Sequence, residues 1–163
     1  MKKKGYLMIT KKYKQTYQPK NALEELLFTK DSIFFDIETT GFSAVKNELY
    51  LIGCGFRQKD SLCIVQFFAE KKEEQGEILT AFLSLLSNFH TILSFNGLGF
   101  DLPFLKTKCH LLHIEENFDA FAYIDIFKSV SRFKNLLQLP NYKQKTLEQF
   151  LEIDRDDTKS GGK

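Results

Sequence analysis

An α/β fold, a mixed sheet covered by helices, is predicted by three observations on this 163-residue sequence. Three apolar runs rich in β-branched and aromatic residues follow one another between short polar turns, which implies an antiparallel meander. The hydrophobic period then changes to helical spacing after Glu73. From Thr91 onward short strands alternate with helices, so later strands join the first through helical crossovers and lie parallel to it.

In chain order, Asn21 to Phe28 (NALEELLF) has leucines at helical spacing behind a capping asparagine and predicts a short helix. The first strand is the stretch Ser32 to Gly41, SIFFDIETTG. Its apolar start delivers Asp36 and Glu38, and the two-residue period puts both on one face while Ile37 points into the core. Thr39, Thr40 and Gly41 end the strand with hydroxyls, amides and a permissive glycine. Glu48 to Phe56 (ELYLIGCGF) and Leu62 to Glu70 (LCIVQFFAE) are the second and third strands.

Ile78, Phe82, Leu85, Leu86 and Phe89 make 73–89 an amphipathic helix with an acidic first turn. TILSF, 91–95, is the fourth strand. A helix over 100–113 carries Pro103 in its first turn, where the missing amide costs nothing. AYIDI, within 118–126, is the fifth strand, followed by helices over 127–137 and 145–153 and a polar tail.

The totals exclude several classes. There is no run of about 18 apolar residues and no secretory leader, so a cytoplasmic protein with no membrane partner is expected. Cys54, Cys63 and Cys109 lie in apolar segments without CxxC spacing, which predicts buried thiols rather than disulfides or a zinc site. The net charge of +2 is too small to argue for nucleic acid, but its distribution is uneven. Lys2, Lys3, Lys4, Lys11, Lys12, Lys14 and Lys20 precede the first acid, Glu24, and are interleaved with Tyr6, Tyr13 and Tyr17. Such an arm reads either as a track for a phosphate backbone with stacked bases or as a solvated terminus that aids solubility.

Two carboxylates side by side repel unless a cation lies between them. Asp36 and Glu38 at a strand end therefore read as half of an oxygen-ligated site suited to Mg²⁺ or Mn²⁺, against the plainer reading of solvated acids on an edge strand. Asp101, in SFNGLGFDLPFLK, follows another strand at the start of a helix, where an acid also serves as a cap. If the two strands are parallel neighbours, their ends coincide and three carboxylates converge. His110 and His113 have metal-site spacing without a partner carboxylate and are assigned to packing or solvent, and Lys106 and Lys108 to a solvated face. Gly97 and Gly99 are not a dinucleotide fingerprint.

DIETTG followed by FNGLGFDLPFL resembles the first two motifs of the DEDD exonucleases. The fuller series FFDIETTGF, YLIGCGF, QFFAE, SFNGLGFDLPFLK, YIDIF and KTLEQFLEI with RDD is similar to the YprB-type ribonuclease H-like domains of bacteria, over 34–157. The resemblance implies a ribonuclease H-like fold, a five-stranded mixed sheet of order 3-2-1-4-5 with helices on both faces. The chain then divides into a basic arm and short helix at 1–30, the ribonuclease H-like exonuclease domain at 31–157, and a polar tail at 158–163.

The activity implied is metal-dependent 3′ to 5′ hydrolysis of phosphodiesters at single-stranded DNA or RNA 3′ ends, with two divalent ions, Mg²⁺ or Mn²⁺. By the same resemblance Asp36 bridges the two metals, Glu38 binds one and orients the attacking water, and Asp101 holds the other. Thr39, Thr40 and Gly41 offer amides and hydroxyls to the terminal nucleotide, Phe42 wedges against the last base, and Asn96 touches sugar or phosphate. Asp125 takes a supporting role.

The sequence departs from the pattern at the fourth acid, which DEDD enzymes place on a late helix behind a Tyr or His. No histidine follows His113, and neither Tyr123 nor Tyr142 has an aspartate four or five places on. The chain stops at TKSGGK, where related domains continue to an HNxxD-like helix, and Asp154, Asp156 and Asp157 lie in a polar stretch poorly suited to hold a ligand. The domain is therefore expected to lack its C-terminal helix. Exposed apolar surface would then favour self-association or a covering partner. The alternative reading is a nucleic-acid-binding module of the same fold that does not cut.

Overall fold

The protein is described here as a computed structural model, in which residues 8–153 are described. The strands are β1 (Ile9–Thr16), β2 (Ser32–Thr39), β3 (Leu49–Gln58), β4 (Ser61–Phe68), β5 (Thr91–Ser94) and β6 (Ala122–Asp125). They form one sheet in the order β1-β4-β3-β2-β5-β6. β1 to β4, β4 to β3 and β3 to β2 are antiparallel, whereas β2, β5 and β6 run parallel. The helices are α1 (Ala22–Leu27), α2 (Gln75–Leu86), α3 (Asp101–Leu111), α4 (Ile126–Ser131), α5 (Lys134–Leu137) and α6 (Gln144–Phe150).

The expected order of five strands holds, but the count is six. Part of the basic arm, Ile9–Thr16, pairs along the whole length of β4 and becomes the sheet edge. Ile, Thr and Tyr supply its β-propensity, and the lysines between them hide the pattern because every side chain of this strand is exposed. Lysines on an edge strand also discourage further strand addition. The remaining arm residues, 1–7, and the tail with Asp154, Asp156 and Asp157 lie outside the described residues.

Asn21 caps α1 as its sequence predicts, accepting the Glu24 N–H at 2.9 Å. Arg57 fastens this helix to the sheet, donating to the Phe28 carbonyl at 3.0 Å while its guanidinium lies 5.6 Å from the centre of the Tyr17 ring.

Alternation along β2 sends Ile33, Phe35 and Ile37 into the core and leaves Phe34, Asp36 and Glu38 on the opposite face. The core is completed by Ile78, Leu79, Phe82 and Leu86 of α2 and by Phe104, Leu105 and Cys109 of α3. Each such side chain contributes about 2 kcal/mol by leaving water. Phe82 stands at the centre, with its ring 5.4 Å from Phe35 and 6.5 Å from Phe118. All three cysteines are buried free thiols. Lys108 is a correction to the solvated-face reading, being buried with its ammonium 5.8 Å from the Phe104 ring centre; Lys106 pairs with Asp119 at 2.6 Å.

On the opposite face, Phe34 borders an apolar groove of about 360 Å³ walled by Ile126 and Val130 of α4 and Leu147 of α6. The single helix expected over 127–137 is broken into α4 and α5. Ser129 and Ser131 turn their hydroxyls back onto the carbonyls of Asp125 and Phe127, at 2.9 and 2.7 Å, a habit that bends helices and competes with their continuation. Among the described residues no helix is long and apolar enough to cross a membrane.

Candidate functional site

The parallel pairing of β2 with β5 places the ends of both strands at one rim of the sheet. From this rim Asp36 projects on the face opposite the main core, and Asp101 opens α3 just beyond β5. Asp101 is buried, and its Oδ1 accepts the Ile37 N–H at 3.1 Å across 64 residues of sequence. Its carboxyl lies close enough to that of Asp36 for each to shift the titration of the other. Asp36 and Asp101 are thereby brought to one groove. Gly53 pairs with Asp36 across β3, so no side chain overhangs Asp36 from that neighbour.

Glu38 occupies the same face, but its Oε2 accepts a long 3.5 Å hydrogen bond from the Tyr50 hydroxyl. Among the described residues no group of three or more His, Cys, Asp or Glu side chains is gathered tightly enough to hold a metal ion. The donor set of Asp36 and Asp101 nevertheless suits a hard cation, because two carboxylates facing one groove repel each other and a cation between them offsets that charge.

Burial, then the charge of Asp36, raises the Asp101 pKa to about 6. Asp36 is open to solvent on one side yet is also raised, first by lost hydration and then by Glu38, with the Asp101 side chain opposing the shift. The sign for stability follows from Asp101. Its folded pKa lies above the ordinary carboxyl value of about 3.9, so the stabilisation is complete below that pH and is lost as pH rises through about 6. Asp101→Asn keeps the acceptor for Ile37 and carries no charge. In buffer with a chelator it is expected to raise unfolding free energy at pH 8 by on the order of 2 kcal/mol and to change little at pH 4. Urea melts at the two pH values check this, and equal effects at both would contradict it.

The turn between β5 and α3 is held by Asp125. Its carboxylate accepts from the N–H groups of Asn96 at 3.0 Å and Leu98 at 3.1 Å, and from Lys128 at 3.2 Å as the cap of α4. Asp125 thereby fixes the loop that delivers Asp101. Asn96 adopts a left-handed φ of 62°, a conformation asparagine tolerates. Gly97 is required by close approach, since a Cβ there would lie 2.5 Å from the Ser94 side chain.

Thr39 donates to the Gly41 carbonyl at 2.9 Å, and the Thr40 hydroxyl accepts the Glu48 N–H at 2.8 Å, so these hydroxyls already serve the turn. Phe42 is 91% exposed, with its ring edge-on to Phe100 at 5.9 Å. A groove of about 550 Å³ joins the acids to this aromatic pair and to Phe95 and Phe127, themselves edge-on at 5.9 Å. Asn96 lines it too, as do Lys143 and Gln144 at the start of α6. Neither of the last two was singled out from the sequence, where the helix was expected to begin at Lys145; no local pattern distinguishes Lys143 from its neighbouring lysine. His110 and His113 are exposed and away from this groove's lining, in keeping with the plain reading of them.

The sequence pattern of the RNase H superfamily matches residues 33–163. No curated protein matches the chain. Among solved structures, the family B DNA polymerase of the hyperthermophilic archaeon Pyrobaculum calidifontis is similar with a TM-score of 0.60 at 16% identity, over 76% of this chain and 18% of that one. Product-bound exonuclease I is similar with a TM-score of 0.62 at 13% identity, over 78% of this chain and 39% of that one. An exonuclease I complex with SSB-Ct gives 0.60 at 12%, over 78% and 37%. This chain therefore corresponds to well under half the length of each of these proteins, and the likeness concerns the fold. With the superfamily pattern spanning most of the sequence and the sheet order in agreement, the chain belongs to the RNase H superfamily.

Proposed function

We propose that this chain is a nuclease domain of the DEDD exonuclease type, hydrolysing phosphodiesters at the 3′ ends of single-stranded DNA or RNA. The observation that carries the reading is that Asp36 and Asp101 line one groove with aromatic walls at the joint rim of β2 and β5. Asp36 and Asp101, with Glu38 on the same strand face, are the residues that would hold divalent ions of the Mg²⁺ or Mn²⁺ kind. Such ions supply positive charge at the phosphate and at the leaving oxygen.

The chain's own residues account for the rest. Glu38 orients the attacking water; the water oxygen bonds to phosphorus while the P–O3′ bond of the penultimate nucleotide breaks. The leaving 3′ oxygen takes up a proton, and a nucleoside 5′-monophosphate departs. Phe42, with Phe100 behind it, stacks on the terminal base, which every base permits because each has a π-face. Asp125 keeps the Asn96–Leu98 turn in place so that Asp101 stays beside Asp36.

The second reading, binding without cleavage, is favoured by the turn of Glu38 toward Tyr50 and by the absence of a three-acid cluster among the described residues. The two readings separate in one assay. A 5′-labelled single strand incubated with the protein and Mn²⁺ should shorten in a ladder one nucleotide at a time, and a 3′-labelled strand should release labelled mononucleotide, with both reactions stopped by EDTA. Intact strands that nonetheless bind the protein would establish the second reading instead.

A further inference from the structure

We infer that Lys143 is the cation that holds substrate phosphate in this groove, an inference that rests on the nuclease reading above. A polynucleotide brings negative charge to a site whose acids are negative as well, so a groove that accepts it needs a positive group near the acids but not neutralised by them. Lys143 meets both conditions. It lines the same groove as Asp36 and Asp101, is exposed, and makes no ion pair among the described residues.

Its backbone is also held in place. The Asn141 side chain accepts the Lys143 N–H at 3.1 Å and the Thr146 hydroxyl at 2.6 Å, and Tyr142 donates to the Lys134 carbonyl at 2.9 Å, tying the turn to α5. A lysine at the end of an anchored turn presents a compact charge with three donors to non-bridging phosphate oxygens. Phe95 and Phe127, edge-on to each other on the groove wall, offer stacking surface for a base attached to that phosphate. Acids and lysine thus divide the substrate between them, with the acids at the bond that breaks and Lys143 on the phosphate charge.

The test measures binding of a fluorescein-labelled oligothymidylate to the whole chain by anisotropy, in EDTA, over a series of salt concentrations. Lys143→Gln is expected to weaken binding about tenfold, the worth of one hydrogen bond to a charged group. It should also reduce the slope of log affinity against log salt by about 0.7, the value for one phosphate contact on a single strand. Lys143→Arg should keep the slope, and Lys145→Gln, outside the groove lining, should leave affinity within about twofold.

In the cleavage assay Lys143→Gln should raise KM more than it lowers kcat. Wild-type affinity and slope in Lys143→Gln, or an equal loss in Lys145→Gln, would overturn the inference while leaving the nuclease reading intact. A wild-type chain that neither binds nor cuts the oligonucleotide would overturn both.

Discussion

Asp36→Ala is expected to lower Mn²⁺-dependent release of mononucleotides by about 10³-fold, close to 4 kcal/mol of transition-state stabilisation. Asp36 would be a ligand of the proposed ions, so its removal weakens the hold on the positive charge that offsets negative charge developing at the phosphate. The same substitution should leave the fold intact and shift the melting temperature upward. The Asp36 carboxyl is repelled by Glu38, and its charge raises the pKa of Asp101, so the pair is strained as long as no cation lies between them. A loss of activity joined to a gain in stability is the signature of a group kept for function. Asp36→Asn, which keeps the shape and removes the charge, should behave alike. Retained cleavage in either variant would remove Asp36 from the mechanism.

Phe82→Ala is expected to carry the largest cost to stability, about 3–5 kcal/mol. Phe82 is completely buried between Phe35 of the central strand and Phe118 at the far end of the crossover, so truncation opens a cavity that three separate elements would have to move to fill. Close-packed interiors collapse only partly around such a void, and the cost exceeds simple transfer. For a chain of this size the loss corresponds to a fall in melting temperature of roughly 10 °C, read by circular dichroism. Phe42→Ala is the matched control. That ring is 91% exposed, and its loss should change stability by no more than about 0.5 kcal/mol. If the two variants melted together, the assignment of the core would be wrong.

The parts of this architecture legible in the sequence are those with a local cause. The two-residue alternation of β2 and the helical spacing of Ile78, Phe82 and Leu86 state which face is buried wherever they occur. Asn21 needs only the amide of Glu24 to act as a cap. The lysine-rich edge strand β1 was hidden for the converse reason: an exposed strand has no apolar face to announce it, and its pairing energy comes from β4, far along the chain. The break between α4 and α5 was likewise invisible to periodicity, since it arises where serine hydroxyls compete for backbone carbonyls.

The same division runs through the site. Sequence alone determined the strand that carries Asp36 and Glu38 and the helix that starts beside Asp101, while the sheet order, and with it a shared rim for the first and fourth predicted strands, was what the family resemblance implied. Only the tertiary structure decided that Asp101 reaches the Ile37 amide and Asp36, that Glu38 leans toward Tyr50, that Asp125 holds the intervening turn, and that Lys143 lines the groove. The physical reason is range. Periodicity and capping report interactions within a few residues of the chain, whereas a site is assembled from groups that loops and crossovers bring together across its whole length, and the direction in which each side chain then settles depends on the charges and hydrogen-bond partners it meets there.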